Sequence, residues 1–344
     1  MQKDIRTLSL YEITEFVELI GEKKFRAKQI WEWLWKKSIR SFDLMTSLSV
    51  DLREKLKESF SFETITINSQ HISTDKTVKF SFKLADENLI EGVLIPSGDR
   101  VTACISTQAG CPLKCEFCAT GQYGFKRNLT AGEIFDQVIL INEYSKKINH
   151  KNLTNIVIMG MGEPLLNTNA VVEAIRHLTS PIEIGMSPSR ITLSTAGIVS
   201  EIYKFADMKT GVNLAISLHS AIQSVRESIM PIAKTNKIPE LIKALKYYHE
   251  VTNDRITFEY LLLDNINDNK KDAQALANFC KNFPVKINII EYNEVSELPY
   301  KRSSAEIKED MITFLEDLNI VVQVRRSRGV DIAAACGQLA NQGL

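Results

Sequence analysis

"CISTQAGCPLKCEFC", residues 104–118, holds four of the six cysteines of this 344-residue chain. Three of them, Cys111, Cys115 and Cys118, form a C-x3-C-x2-C triplet. A structural zinc site takes four ligands, usually as paired C-x2-C or Cys/His sets. No second C-x2-C occurs in the chain, and no histidine lies near the triplet. Zinc with a distant fourth ligand stays open. A [4Fe–4S] cube ordinarily takes four thiolates, so three leave one iron free to bind something else.

Outward from the triplet, the chain divides into zones. Residues 1–62 read as a helical accessory domain: "SLYEITEFVELIG" has a Ser cap, helical apolar spacing and a closing Gly. Residues 63–97 read as antiparallel strands with turn signals at "ADEN" and "SGD". From 98 to 344 apolar strands alternate with helical patterns. The strands are "RVTACIST", "NIVIM" (155–159), "RITLS" (190–194), "VNLAIS" (212–217), "RITFEYLLL" (255–263), "VKINII" (285–290) and "IVVQV" (320–324). That alternation predicts an α/β parallel sheet wrapped by helices, whose active site lies at the C-terminal strand ends. The triplet follows the first strand, "GMGEP" (160–164) the second, "SLHS" (217–220) the fourth and "EYN" (291–293) the sixth. All fall on that rim.

Composition sets outer bounds. Hydrophobic content of 44% and charged content of 24% are those of a globular protein. No apolar run reaches a membrane span and the N-terminus lacks an apolar signal core. A cytoplasmic location is therefore expected, where clustered thiols more often bind metals or catalyse than staple folds. Net charge is zero, so charge as a whole is silent about nucleic acid. Locally, 21–40 carries seven basic against two acidic residues and all three tryptophans. Two readings stand side by side: a small helical domain with a tryptophan core, and a basic surface for phosphates.

The triplet resembles the signature of the radical S-adenosylmethionine superfamily. There the open iron of a [4Fe–4S] cluster is chelated by the amino and carboxylate groups of S-adenosylmethionine, which is cleaved to a 5′-deoxyadenosyl radical. "GMGEP" resembles the Gly-Gly-Glu element that holds the amino group in that superfamily. Gly160 and Gly162 would let the backbone approach a ligand, and Glu163 would accept from its ammonium.

Taken together, "CISTQAGCPLKCEFCATGQYGFKRNLTAGEI", "MGMGEPLLN", "RITLSTAGI", "AISLHS" and "DIAAACGQL" resemble the RlmN family of dual-specificity adenine-C2 methyltransferases of 23S rRNA and tRNA. The resemblance runs from about residue 8 to the C-terminus. It implies a partial (β/α)6-type radical SAM barrel with a small N-terminal helical domain and a C-terminal extension. Its substrates would be an adenosine at the peptidyl-transferase centre and one beside the anticodon of some tRNAs. It implies two S-adenosylmethionine molecules per turnover and an electron donor such as flavodoxin or ferredoxin. A monomer without membrane attachment is expected.

Carbon 2 of adenine is too poor a nucleophile to take a methyl cation, whereas a thiolate is not. The family resemblance implies that Cys336 is methylated first and that the methyl carbon, as a radical, adds to adenine. Glu91, in "NLIEGVLIP", would remove the proton at carbon 2; read without the family, it is an outward-facing strand carboxylate. Cys104 would then attack the Cys336 sulfur, forming a disulfide and freeing the product. The resemblance also assigns S-adenosylmethionine contacts to Gly162, Glu163, Ser194, Ser217, Leu218, His219 and Asn293. Cys280 reads as an inert core thiol. Two departures stand out: the family commonly has Asp in place of Ala333 and often Pro in place of Glu294.

Basic segments containing Lys126 and Arg127, Lys301 and Arg302, and Arg325, Arg326 and Arg328 are candidate RNA contacts, alongside the reading of idle solvated faces. Two rival functions remain. The sister Cfr family methylates carbon 8 of the same adenosine; it often has Cys at the position of Ala109 and Ala at that of Pro164, which favours carbon 2 here. The other rival is a non-enzymatic metal-containing RNA-binding module, which would leave Cys104 and Cys336 without a role.

Overall fold

A computed structural model describes residues 2–295 and 298–340. The N-terminal part pairs two short parallel strands, β1 (Lys3–Asp4) and β2 (Phe60–Ser61), around helices α1 (Leu10–Leu19), α2 (Phe25–Trp31) and α3 (Val50–Ser59). As the sequence predicts, Ser9 caps α1, and Glu12 returns a bond to the Ser9 backbone to complete a capping box.

Strands β3 (Thr66–Ile72), β4 (Val78–Lys83), β5 (Leu89–Ser97) and β6 (Arg100–Cys104) follow as an antiparallel meander. A short hairpin, β7 (Gln108–Gly110) and β8 (Phe125–Asn128), brackets the cysteine loop and the one-turn helix α4 (Ala119–Tyr123). The alternating part then runs α5 (Ala131–Asn149), β9 (Asn155–Ile158), α6 (Thr168–Thr179), β10 (Ile191–Thr195), α7 (Val199–Asp207) and β11 (Asn213–Ser217). It continues through α8 (Gln223–Ile229), α9 (Ile238–Thr252), β12 (Ile256–Leu262), α10 (Lys270–Cys280), β13 (Val285–Glu291), α11 (Ala305–Asp317) and β14 (Val321–Arg325).

One ten-stranded sheet, ordered β14-β13-β12-β11-β10-β9-β6-β5-β4-β3, carries the molecule. β6 is the switch: antiparallel to β5 and parallel to β9, from which every later pairing is parallel. The parallel strands are near-continuous apolar runs because helices cover them; all of "ITFEYLL" in β12 is buried. The expected α/β partial barrel is thus present, and the antiparallel strands extend the same sheet. The sequence reading missed α7, α8 and the β7–β8 hairpin, whose strands are too short for a periodic signal.

Trp31 and Trp35 pack outward against the barrel, while Trp33 donates to Ser47 within the helical part. Trp35 is 1% exposed and stacks on His177 of α6, with ring centroids 3.5 Å apart. Trp31 donates to Glu183 at 3.0 Å, and Glu183 also binds His177 at 2.9 Å. Arg6 reaches Asp136 of α5 at 2.7 Å. The aromatic groups therefore glue the helical part to the barrel, instead of forming a self-contained core. Among the described residues no helix is long and apolar enough to cross a membrane.

Candidate active site

The β7–β8 hairpin shapes the cysteine loop. Cys111 donates its N–H to Gly124 at 2.9 Å, and Gly110 (φ 80°) fits only as glycine, since a Cβ there would overlap the Gly124 carbonyl. From its far side, Glu116 donates to Ile229 at the end of α8 (3.0 Å). Cys111, Cys115 and Cys118 consequently line one cleft at the C-terminal strand ends. Burial pushes the Cys111 thiol up to about 12 and Cys115 well above its ordinary value. Buried neutral thiols of this kind become thiolates when they bind a metal. They share one wall of the cleft.

Residues predicted from other strand ends meet them. Gly162, Glu163, Ser194, Ser217, His219 and Cys336 line the same cleft. Glu163, 3% exposed, accepts from the backbone of Leu165 (3.0 Å) and Ala196 (2.7 Å). Burial raises its pKa, and the Ala196 N–H works against that. Ser194 and Ser217, on adjacent strands, are 3.4 Å apart at their hydroxyls. His219 Nδ1 accepts from the Leu261 N–H at 3.0 Å, so the proton of the neutral ring sits on Nε2. Burial first, and then nearby Arg226, lower its pKa to about 3.

Several residues have surroundings that the sequence alone does not show. Gly160 and Gly162 are required by packing against the chain before the triplet: a Cβ at Gly160 would sit 2.7 Å from the Ile105 carbonyl, one at Gly162 2.5 Å from Gln108 Cβ. The Leu218 side chain is fully buried and does not line the cleft; its carbonyl accepts from Arg226. Glu91 is not an outward-facing strand carboxylate. It is 3% exposed, 3.5 Å from Lys79 Nζ, and accepts from the Ala340 N–H at 2.9 Å.

Cys104 ends β6 and opens onto a second cleft that Cys118 and Cys336 share. Burial pushes its thiol up to about 12, Cys336 adding to this and Arg325 opposing it. Asn293 donates to the Cys336 carbonyl at 3.4 Å, while its own Oδ1, buried, has no partner among the described residues. A buried acceptor left unmatched costs roughly 1–3 kcal/mol unless a ligand donates to it. That orphan and the three half-buried thiols fit a cofactor seated in the cleft.

The Cys336 segment is tied down at several points. Asp331 binds Ser73 Oγ (2.6 Å) and the Thr74 N–H (3.0 Å); Gly337 accepts from Ala119 (2.8 Å) and Leu339 from Thr120 (2.5 Å). Ala333, one of the departures, sits in the left-handed region at φ 50°, where Asp or Gly is more at ease. Glu294, the other, contributes only its carbonyl to Gln338 (3.0 Å), a bond a proline there would keep.

Among the candidate RNA contacts, Arg127 is committed to Asp86 and, bidentately, to Glu133. Arg325 lies inside, bound to Glu259 at 3.1 Å and lining both clefts. Arg326 and Arg328 line the second cleft beside Cys104 and Cys336. Glu259 and Arg325 form an internal charge pair, which no local motif announces. Cys280 is buried at the end of α10, its thiol pushed up to about 12 by burial, as an inert core position should be.

The fold is that of the radical SAM superfamily, whose family model matches residues 105–279. A second model, the ribosomal RNA large subunit methyltransferase N-terminal domain, matches residues 3–61. A probable dual-specificity RNA methyltransferase RlmN of Cytophaga hutchinsonii is 50% identical over 98% of this chain and 93% of its own length. The corresponding protein of Chlorobaculum tepidum is 44% identical over 98% of this chain and 93% of its own. A radical SAM methyltransferase from Sphaerobacter thermophilus superposes with a TM-score of 0.92 at 37% identity, covering 98% of this chain and 99% of that one. The chain belongs to the RlmN family of dual-specificity RNA methyltransferases.

Proposed function

We propose that this enzyme methylates carbon 2 of adenosine in 23S rRNA and in tRNA. The observation that carries the reading is the convergence of Cys104 and Cys336, from opposite ends of the barrel, on a cleft bordered by the three-thiol loop. Cys111, Cys115 and Cys118 would hold a [4Fe–4S] cluster. When bound, that cluster supplies the electron that turns S-adenosylmethionine into a hydrogen-abstracting radical.

The chain's own residues do the rest. Glu163 offers carboxylate oxygen to the amino group of S-adenosylmethionine, with Ser194, Ser217, His219 and Asn293 around the remainder. Cys336 accepts the methyl group on sulfur from one S-adenosylmethionine and presents it to the second. Its neighbour Arg325 stabilises negative charge there during the transfer. Cys104 resolves the adduct: once the adduct has given up its unpaired electron and the carbon 2 proton, the Cys104 thiolate forms the S–S bond to Cys336, the Cys336–carbon bond breaks with its electron pair left on carbon, and a proton taken up there completes the methyl group. External thiol then reduces the disulfide. Glu91 is assigned the proton at carbon 2; the Ala340 backbone caps its carboxylate, so that role requires the end of the tail to lift. Arg326 and Arg328, at the mouth of the second cleft, supply charge for RNA phosphates, making association strongly salt-dependent. The target base leaves its stack to reach the clefts.

Carbon 2 is preferred to carbon 8 on the sequence. Ala109 is a fully buried β7 residue, and Pro164 opens a 3-10 turn behind Glu163. Nucleoside analysis of 23S rRNA and tRNA from cells lacking the gene is the test: 2-methyladenosine should vanish from both. Its retention in both contradicts the assignment, and 8-methyladenosine as product of the purified enzyme would move it to the sister family.

A further inference from the structure

Arg226, in α8, is the largest charged group sealed inside the described structure, at 0% exposure. Its acceptors are all backbone carbonyls: Leu218 (3.1 Å), Ala196 (2.6 Å) and Ser217 (3.4 Å). Nη1 is buried without any partner among the described residues. Among the described residues no carboxylate lies within ion-pair distance of it; the adjacent Glu227 is at the surface on Lys237. A buried, unpaired guanidinium is costly, by several kcal/mol even after relaxation. Burial is strong enough here to lower the pKa of an arginine to about 10, with the Cys115 side chain as the group opposing it.

Its location explains where the missing negative charge belongs. Ala196 and Ser217, whose carbonyls it holds, both line the cofactor cleft, as does Met230, whose N–H bonds back to the Arg226 carbonyl at 2.8 Å. The last residue of α8, Ile229, accepts from Glu116, next to Cys115 in the three-thiol loop. Arg226 therefore lies directly behind the wall that carries the thiols.

We propose that Arg226 is the fixed counter-charge of the iron–sulfur cluster, a positioning residue that favours the reduced cluster and so sets its reduction potential. The inference rests on the cluster reading of the three thiols. Each added electron makes the cluster more negative, and a permanent cation behind it in a dry, low-dielectric wall stabilises the reduced form more than the oxidised one. Arginine suits the post because its guanidinium keeps its charge when buried, while its fork braces two strand ends.

The test is a potentiometric titration of anaerobically reconstituted holoenzyme, read by the electron paramagnetic resonance of the reduced cluster. Arg226→Gln and Arg226→Met should disfavour the reduced cluster at least tenfold, a potential lower by about 59 mV for a one-electron couple. Arg226→Lys should stay nearer the wild type than either. Unchanged potentials in neutral variants with intact clusters overturn the proposal. So does a neutral variant that cannot fold without the cluster where Arg226→Lys can, since the charge would then be needed before the cluster arrives. If the wild-type protein itself takes up no cluster, the functional reading has failed, a result visible without any substitution at 226.

Discussion

Two stretches bring sulfur to the same cleft by opposite means. The loop 111–118 is held largely by its own neighbourhood: the β7–β8 hairpin closes it, and Cys118 donates its N–H to Cys115. The tail that bears Cys336 has almost no regular structure and is held by distant partners: Ser73, Thr74, Thr120 and Glu91. A metal site needs several ligands at fixed spacing, which short-range chain geometry can deliver. The Cys336 tail is fixed by hydrogen bonds to residues far away in the chain. The difference teaches that local chain geometry and long-range anchoring are two separate ways of placing sulfur at one site.

The sharpest way to break that contrast is to remove one sulfur from each region. Cys336→Ala should abolish RNA methylation, at least 10³-fold, while the visible absorption of the reconstituted cluster survives; Cys115→Ala should remove both. If Cys336→Ala also lost the cluster, the two regions would not be independent.

Next in size is the tether. Asp331→Ala deletes two hydrogen bonds to the β3–β4 turn, a loss of roughly 1–3 kcal/mol in holding the tail. Methylation should fall about tenfold or more, with cluster content and Tm of the barrel little changed. Equal activity would mean that the tail is positioned by RNA alone.

Smaller effects refine the picture. Ala333→Gly relieves a left-handed alanine at φ 50°, which costs on the order of 1–2 kcal/mol, offset in part by glycine's greater freedom when unfolded. A Tm gain corresponding to about 0.5–1 kcal/mol is expected. A fall in Tm would show that the segment tolerates this conformation without strain.

The last prediction concerns the other contact surface, between the helical part and the barrel. Burial pulls the His177 pKa down, but bonds to Glu173 and Glu183 outweigh it and leave it raised above 6.5. A raised folded pKa means stabilisation that is complete below the unfolded value and lost as pH climbs through the folded one. The Tm difference between wild type and His177→Asn should therefore shrink from about pH 6 to about pH 8.5. A difference that is flat across that range would leave only the stacking with Trp35.

Legibility followed the range of the interactions. Glu163, Ser194, Ser217 and His219 follow strands whose apolar runs announce them, and strand ends of a parallel sheet face one rim whatever the loops do. Gly162 illustrates the limit: the sequence exposes its need for glycine, but the reason, Gln108 behind it, lies across two strands. Glu91 was visible as a lone acid in an apolar strand, whereas its Lys79 partner and its cover by Ala340 were not. Arg226 sits in an ordinary amphipathic stretch, "SVRESIMP", and only the fold turns its face inward.

By itself, the sequence determined the alternation that makes a parallel sheet, the three-thiol loop and the family to which the chain belongs. These depend on neighbours a few residues apart: side-chain period, cap residues and ligand spacing. Only the tertiary structure decided which charges are buried, which basic residues are paired with acids, and that the tail folds back over Glu91 beside Cys104. Desolvation and long-range pairing depend on what surrounds a group in space, and the order of residues along the chain does not record it.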